Sequence, residues 1–394
     1  MTPHHPSPPA SAPPSPAAPD PQGLERIIAS LASRPEPLLQ AAAWGLRRFG
    51  YRRPVVAPYR VTWDLTSRCN LRCLHCSGRA GRAHPRELSF TQVKELVRRL
   101  RAFGIKRASF TGGEIFLRPD LFDVLKLARE AGLEVSVATN ATLVTDAAAA
   151  RLKALGVRSV QTSLDGPEAA VHNWLRGRPW AFERTCRGIR VLLRHGLPVI
   201  ATMTVTRANW RSVPQTIDLA VELGLPAFSI NDLIFTGRGE QLRDQAVDDE
   251  AYDSLVALFE RKKRELSGRI RLAWEGAGGA EASRPPDRER AVVTSRCLAA
   301  LTRFHIGPDG TVHPCNLIHL PAGNLLTQPV EEVFESPVFR AFRDREALKG
   351  RCGGCDYRFS CGGCRSRAYA YFGDIHAPDP RCRGPGARRE ASAP

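Results

Sequence analysis

Two groups of cysteines constrain the fold of this chain more than any other feature of its sequence. Eleven cysteines occur among 394 residues, and all but Cys186 belong to one of the groups. The amino-terminal group has the spacing C-x3-C-x2-C and comprises Cys69, Cys73 and Cys76. The carboxy-terminal group occupies the last quarter of the chain and comprises Cys297, Cys315, Cys352, Cys355, Cys361, Cys364 and Cys382. In a cytoplasmic chain such clusters are typical of metal sites, because the thiols stay reduced.

The composition indicates a globular cytoplasmic protein. Hydrophobic residues make up 43% of the chain and charged residues 25%, as in ordinary globular domains. The start of the chain lacks the basic and apolar regions of a signal peptide, and no run approaches the roughly 20 apolar residues of a membrane-spanning helix. The net charge of +17 is mostly due to arginine, and no basic run is interleaved with aromatic residues. We therefore expect a cytoplasmic monomer without a membrane or nucleic-acid partner.

The chain divides into five parts. Residues 1–22 are proline-rich and are expected to be disordered. Residues 23–56 have helix-like apolar spacing and form a short helical preamble. Residues 57–245 alternate between apolar, β-branched runs and amphipathic stretches, which predicts an α/β domain. Residues 246–290 indicate a charged helix and a linker, and residues 291–394 form the cysteine-rich part.

The alternating part predicts a parallel sheet with helical crossovers. Its apolar runs predict six strands, at residues 59–66, 107–111, 134–140, 159–165, 198–205 and 227–234. A β-hairpin is predicted at residues 304–315, with Pro308, Asp309 and Gly310 in the turn. Periodicity alone leaves open whether the sheet curls into a partial barrel.

The amino-terminal cysteine group lies directly after the first predicted strand. Three thiolates in a short loop can hold three irons of a four-iron cube and leave the fourth iron open for a ligand. A zinc site is the alternative, but structural zinc sites use four ligands, usually as two pairs. Cys186 fits neither group, and we expect it to be a buried, small hydrophobic residue.

Several motifs resemble those of the radical S-adenosylmethionine (SAM) superfamily. The three-cysteine loop is followed by Gly112-Gly113-Glu114 after the second strand, like the GGE motif of that family. Thr139 to Thr142 resembles its TNG segment, with Ala141 in place of glycine. The stretch from Ser163 to Gly177 resembles the family's segment after the fourth strand.

The resemblance implies a partial (β/α)6 TIM-like barrel with a [4Fe-4S] cluster on Cys69, Cys73 and Cys76. It also implies a SAM-binding site at the carboxyl ends of the strands, where α/β sheets bind ligands. Glu114 is expected to face the SAM amino group, and the glycines before it to allow close approach of the backbone to the ligand. The residues expected to bind SAM are His75, Gly112, Gly113, Glu114, Asn140, Ser163 and Arg176.

The carboxy-terminal group resembles the SPASM extension of radical SAM enzymes. That resemblance implies one auxiliary cluster on Cys352, Cys355, Cys361 and Cys382. It implies a second one on Cys297, Cys315 and Cys364, without an obvious fourth thiolate. The interval before Cys364 is one residue shorter than in the family pattern. A zinc ribbon on Cys352, Cys355, Cys361 and Cys364 is the alternative.

The resemblance implies an enzyme that cleaves SAM reductively and abstracts hydrogen through a 5′-deoxyadenosyl radical. The substrate expected first is a peptide undergoing maturation, and the alternative is the side chain of a haem or other tetrapyrrole precursor. The sulfatase-maturing type carries an acidic residue after the hairpin cysteine, whereas this chain has Asn316. A non-enzymatic iron–sulfur or zinc protein is a third alternative, which the intact GGE motif disfavours. An enzyme would need an electron donor of the flavodoxin or ferredoxin type.

Overall fold

A computed structural model of the chain describes residues 58–275, 297–355, 358–359 and 361–382. The predicted disordered tail and helical preamble, together with part of the predicted linker, lie outside the described residues. Within this part of the chain no helix is long and apolar enough to cross a membrane.

The framework is a ten-stranded sheet with the order β10-β9-β8-β1-β2-β3-β4-β5-β6-β7. The strands are β1 (Arg60–Thr66), β2 (Arg107–Gly112), β3 (Glu134–Ala138), β4 (Val160–Ser163), β5 (Val199–Val205), β6 (Ala227–Asp232), β7 (Arg271–Glu275), β8 (Arg303–Ile306), β9 (Thr311–His313) and β10 (Gly323–Asn324). Strands β1 to β7 pair in parallel in sequence order. All six predicted strands are therefore present, in a sheet that is open rather than closed, as expected of a partial barrel.

Helices connect the parallel strands. They are α1 (Phe90–Phe103), α2 (Leu121–Glu130), α3 (Asp146–Ala154), α4 (Ala169–Arg176), α5 (Ala181–Arg194), α6 (Val213–Glu222) and α7 (Asp249–Glu265), followed by α8 (Val330–Phe334), α9 (Pro337–Arg343), α10 (Gly350–Gly353) and α11 (Arg365–Phe372). Side chains of a strand alternate between its two faces. Val61, Trp63 and Leu65 of β1 are buried in the main hydrophobic core, whereas Arg60 and Thr62 line a cavity on the other face.

Residues 271–275, near the start of the predicted linker, form the strand β7. This strand pairs in parallel with β6, and its Leu272 and Trp274 are buried. Two alternating apolar residues among charged ones are a weak strand signal, and pairing with β6 is what makes the segment extended.

The predicted hairpin is present as β8 and β9, but it is not separate from the α/β part. Strand β8 pairs in parallel with β1, with Arg303 opposite Arg60 and Ile306 opposite Trp63. Strand β9 then pairs antiparallel with β8. The cysteine-rich part thus begins as an extension of the main sheet, next to the strand that leads into the first cysteine loop.

Candidate functional site

A cavity of about 500 Å³ lies along the inner face of the sheet. Residues of seven strands line it, and those of β1, β2, β4 and β5 include alternate positions, as strand geometry requires. These side chains are mostly short and polar, which leaves space in front of the sheet. The strand residues that line it include Arg60, Thr62, Ser109, Thr111, Gln161, Ser163, Thr202 and Thr204.

The amino-terminal cysteine group lines this cavity. Cys69, Cys73 and Cys76 lie in the loop after β1, and they pack in a small apolar cluster with Leu71 and Trp180. The loop is fixed by backbone hydrogen bonds, since the Arg72 N–H donates to Arg176 and the Leu74 N–H donates to Leu175 at the end of α4. No disulfide joins any of the eleven cysteines.

Each of these three sulfur atoms accepts a hydrogen bond from a nitrogen of the protein. The Leu71 N–H lies 3.4 Å from Cys69 Sγ, the Ala80 N–H lies 3.4 Å from Cys76 Sγ, and the Arg176 guanidinium lies 3.7 Å from Cys73 Sγ. Burial raises the pKa of the Cys69 thiol to about 11, so a metal would displace a proton there. Three sulfur donors in one loop beside a cavity fit a four-iron cluster with one open position.

Gly112 and Gly113 line the cavity, and their lack of a side chain allows the backbone of the cysteine loop to pack against them. A Cβ on Gly112 would lie 2.2 Å from the Thr66 carbonyl oxygen, and one on Gly113 would lie 2.1 Å from that of Arg68. The Gly113 N–H donates to Thr66 at 2.8 Å. The close approach is therefore to the backbone that carries Cys69, whereas the sequence predicted an approach to the ligand.

Glu114 lies behind the cavity wall in this structure, whereas the sequence predicts that its carboxylate faces the SAM amino group. The residue is fully buried. Its carboxylate accepts from the Thr139 hydroxyl at 2.8 Å, the Asn140 N–H at 2.8 Å and the Phe116 N–H at 3.2 Å. Because these donors satisfy its oxygens, Glu114 positions Thr139 and Asn140, which do line the cavity.

The structure brings His75, Asn140, Ser163 and Arg176 to the same cavity. Burial disfavours the charged form of Arg176, but the negative charge of Asp165 holds the pKa of Arg176 above its usual range. The two side chains lie 2.5 Å apart. Burial, together with the charge of Arg176, lowers the pKa of His75 to about 3, so its ring is neutral. Its Nδ1 atom is buried without a hydrogen-bond partner among the described residues, which leaves that nitrogen available to a ligand.

Sequence reasoning missed Gly237 and Arg238, which hold the cysteine loop from the other side. Gly237 has φ of +60°, and a Cβ there would lie 2.1 Å from the Ser77 carbonyl oxygen. The Arg238 guanidinium donates to the carbonyls of Cys73 and Ala80, both at 2.8 Å. A Gly-Arg-Gly triplet a few residues after β6 was the signal that could have indicated this contact.

The carboxy-terminal group divides between the cavity and the region behind it. Cys297, Cys315 and Cys364 line the same cavity as the first group. Cys352 lies near Asp379, whose N–H lies 3.4 Å from the Cys352 sulfur, and the Asp379 carboxylate accepts from the Cys364 N–H at 2.8 Å. Asp379 therefore connects the two subsets. No three His, Cys, Asp or Glu side chains of the described residues converge on a site for a single metal ion.

Three arginines near these cysteines are almost completely buried, with 1–2% exposure: Arg345, Arg365 and Arg367. Arg367 pairs with Asp379 at 2.8 Å and also with Asp232 at the end of β6. Arg365 donates to the carbonyls of Ile375 and Ala377 and lies 3.8 Å from Cys352 Sγ.

Arg365 forms no ion pair within the described residues, and its Nε atom has no partner there. A buried guanidinium without a counter-charge is strongly unfavourable. An anionic thiolate cluster beside it would supply that counter-charge, so the residues present fit an auxiliary iron–sulfur cluster.

The three-cysteine loop on an open α/β half-barrel, with further cysteines facing the same cavity, defines an iron–sulfur enzyme that uses SAM. The family model of the Radical SAM superfamily matches residues 63–220. The model of SPASM, an iron–sulfur cluster-binding domain, matches residues 297–356. Related proteins match over most of their length, and the chain belongs to the radical SAM superfamily, in the group with a SPASM domain.

Two curated relatives illustrate the range of this group. The chain is 35% identical to the AdoMet-dependent heme synthase of Methanosarcina barkeri, over 83% of this chain and 96% of that protein. It is 31% identical to the mycofactocin maturase MftC of Mycobacterium tuberculosis, over 84% of each. The resemblance seen in the sequence is thus confirmed, as are the enzyme class, the [4Fe-4S] cluster and SAM as cofactors.

Solved structures share the fold. Streptococcus suis SuiB bound to its precursor peptide SuiA superposes with a TM-score of 0.67 at 17% identity, covering 88% of this chain and 80% of SuiB. A structure of anSMEcpe with bound AdoMet gives a TM-score of 0.67 at 20% identity, covering 83% and 94%. At these identities the likeness establishes the fold alone, and it confirms the partial barrel with its carboxy-terminal domain.

Proposed function

We propose that this enzyme oxidises a carboxylate-bearing side chain of a tetrapyrrole precursor. The observation that carries the proposal is the single cavity lined both by Cys69, Cys73 and Cys76 and by cysteines of the carboxy-terminal group. The first cluster and SAM would supply a radical that takes hydrogen from an unactivated carbon. An auxiliary cluster on Cys297, Cys315 and Cys364 would accept the electron that the substrate must then lose.

Two arginines in the cavity favour a carboxylate substrate. Arg60 of β1 and Arg303 of β8 are register partners on neighbouring strands, and both line the cavity. Neither forms an ion pair with any described residue. Two guanidinium groups on adjacent strands, about 4.8 Å apart at the backbone, suit the paired oxygens of a carboxylate.

The tetrapyrrole is ranked above the peptide because of the relatives that match along nearly their whole length. Besides the AdoMet-dependent heme synthase of Methanosarcina barkeri, that of Nitratidesulfovibrio vulgaris is 34% identical to this chain over 91% of its own length. The proposed reaction balances when a side-chain carbon loses a hydrogen atom, the carboxylate leaves as CO₂ and one electron passes to the protein. The side chain then becomes an alkene.

A peptide substrate is the second candidate, favoured by the match to the mycofactocin maturase. SuiB, which shares the fold, also binds a precursor peptide in its crystal structure. Arg60 and Arg303 would then bind the terminal or side-chain carboxylate of the peptide. Asn316, which lines the cavity, offers no acidic group after Cys315, so the sulfatase-maturing type remains disfavoured.

The remaining parts of the proposal follow from the chemistry. Reductive cleavage of SAM requires one electron from outside, for which we propose a flavodoxin- or ferredoxin-type donor. We also propose a cytoplasmic monomer with a catalytic unit at 57–245, a bridge at 246–290 and a cluster-binding unit at 291–394. The expected SAM contacts are His75, Asn140, Ser163 and Arg176 with the backbone of Gly112 and Gly113, and Glu114 acts behind them.

The proposal is tested by measuring 5′-deoxyadenosine formed by the reconstituted enzyme under anaerobic conditions. Iron coproporphyrin should accelerate the formation of 5′-deoxyadenosine and lose one CO₂ and one carbon-bound hydrogen per modified side chain, whereas the tetramethyl ester should do neither. Arg60→Gln should weaken the response, and Arg271→Gln, at the exposed start of β7, should not. Equal rates with acid and ester would contradict the carboxylate site, and acceleration by a peptide alone would select the second candidate.

A further inference from the structure

A basic surface surrounds the cysteine loop where the loop meets the start of α5. We call it the α5 patch and define it by Arg72, Arg178, Trp180, Arg184 and Arg187. The Arg72 guanidinium donates to the carbonyls of Cys69 and Leu71, and Arg178 donates to that of Asn70 at 3.3 Å. Arg184 and Arg187 follow on the exposed side of α5.

The arginines of the α5 patch carry uncompensated charge. Neither Arg72, Arg178, Arg184 nor Arg187 forms an ion pair with a described residue, and Glu183 is the only acidic residue of α5. Exposed arginines elsewhere are often paired, as Arg98 is with Glu95 and Arg194 with Asp146. The patch therefore presents a positive potential that attracts an acidic surface.

Trp180 connects this surface to the first cysteine group. Its ring lies under the Arg184 guanidinium at 4.3 Å, and the residue is half-buried. It also packs against the cluster formed by Leu71, Cys73 and Ala181. An aromatic side chain thus lies between the ligand-bearing loop and the charged surface.

We propose that the α5 patch docks an acidic, low-potential electron-carrier protein that reduces the cluster held by Cys69, Cys73 and Cys76. The proposal rests on the proposed function only in requiring that this loop holds a redox cluster. The carrier loses one electron and the cluster gains it, and no bond forms between the two proteins. Charge complementarity selects the partner, because four unpaired arginines favour an acidic carrier over a basic or neutral one.

The test reverses two charges of the patch and compares them with a matched pair elsewhere. Arg184→Glu with Arg187→Glu changes two exposed residues three positions apart on α5. Arg261→Glu with Arg264→Glu makes the same change at the same spacing on α7, which packs against α6 and follows β6. Since both residues are exposed on the surface of α5, the α5 variant is expected to fold. If the α5 variant does not fold, the milder double variant Arg184→Gln with Arg187→Gln replaces it in the same measurement.

The measurement is the second-order rate constant for reduction of the cluster by reduced flavodoxin, followed spectroscopically at low and high salt. We expect the α5 variant to be slower by about tenfold or more at low salt, and the α7 variant to stay within about twofold of the parent. Iron content and reduction by dithionite should be unchanged in both.

Equal slowing by the two variants, or no slowing by the α5 variant, would overturn the docking site. Substrate turnover with dithionite tests the proposed function separately, because it does not depend on a carrier protein.

Discussion

At the scale of single residues, Arg365 carries the clearest chemical information. A guanidinium with 1% exposure that forms no ion pair within the described residues is rare in a folded protein. Its contacts are two carbonyl oxygens and the Cys352 sulfur. The positive charge is therefore placed to balance thiolates that bind iron, and it should influence their reduction potential.

Arg365→Gln should shift the midpoint potential of an auxiliary cluster to more negative values, because loss of a nearby positive charge disfavours the reduced state. Arg365→Lys should restore part of the shift, since it keeps the charge. Arg351→Gln is the control, because Arg351 is only half-buried and donates to the Pro380 carbonyl. Potentiometric titration followed by electron paramagnetic resonance measures the shift, and iron per chain shows whether the clusters remain. Midpoints identical to those of the parent would contradict the role.

At the scale of elements, the fold positions the cysteine loop by clamping it between neighbours. The start of the loop passes over Gly112 and Gly113 at the end of β2, and its middle forms hydrogen bonds with the end of α4. Gly237, in the segment after β6, contacts the loop from the other side. Gly177, with φ of +68°, is another close neighbour, since a Cβ there would lie 2.5 Å from the Arg72 carbonyl oxygen. Glycines therefore surround a loop whose own residues have little freedom to adjust.

Gly112→Ala should displace the loop and lower iron binding at the first cluster. Both Gly112 and Gly224 have positive φ, but an alanine Cβ meets the Thr66 carbonyl at 2.2 Å in the first and nothing within 4 Å in the second. Gly224→Ala should therefore cost only about 1 kcal/mol of backbone strain, and it should keep its iron. Iron content and SAM cleavage distinguish the two variants. Equal losses would mean that conformational strain alone accounts for the effect.

At the scale of the whole molecule, the cysteine-rich part is joined to the half-barrel by several contacts, among them a shared sheet and a buried ion pair. Strand β8 extends the sheet beside β1, and Arg367 forms a buried ion pair with Asp232 at the end of β6. The partner Asp379 has a pKa of about 2 because Arg367 outweighs the cost of its burial. Because the folded-state pKa lies below the unfolded value of 3.8, ionised Asp379 stabilises the folded protein at pH values above 3.8. This contribution to the free energy of unfolding is lost as the pH falls toward 2.

This arrangement predicts separate roles for the two cysteine groups. Cys352→Ala with Cys355→Ala should remove iron from the carboxy-terminal part and abolish product formation, while dithionite-reduced enzyme still cleaves SAM. Cys186→Ala is the control, since that residue is buried in the main core, as the sequence predicted, and belongs to neither group. Circular dichroism and iron content establish that the variant is folded. Normal turnover by a folded variant without these clusters would make them structural only.

Local signals in the sequence were sufficient for most of the fold. The six parallel strands, the hairpin and the three-cysteine loop all follow from apolar runs, turn residues and spacing over a few positions. These features are local because strand alternation and turn geometry depend on near neighbours. Metal binding by the first cysteine group could likewise be predicted from the sequence, since three thiols within eight residues must lie close together.

Only the tertiary structure decided how distant segments meet. Pairing of β8 with β1 joins residues more than 200 positions apart, and it brings Arg303 beside Arg60. The conformation after Gly112 buries Glu114 behind the wall, although its motif suggests a ligand contact, because the Thr139 hydroxyl and the Asn140 N–H of another loop donate to its carboxylate. Arg238 and Arg365 gain their roles in the same way. Long-range register and burial depend on the complete packing of the chain, so no local pattern specifies them.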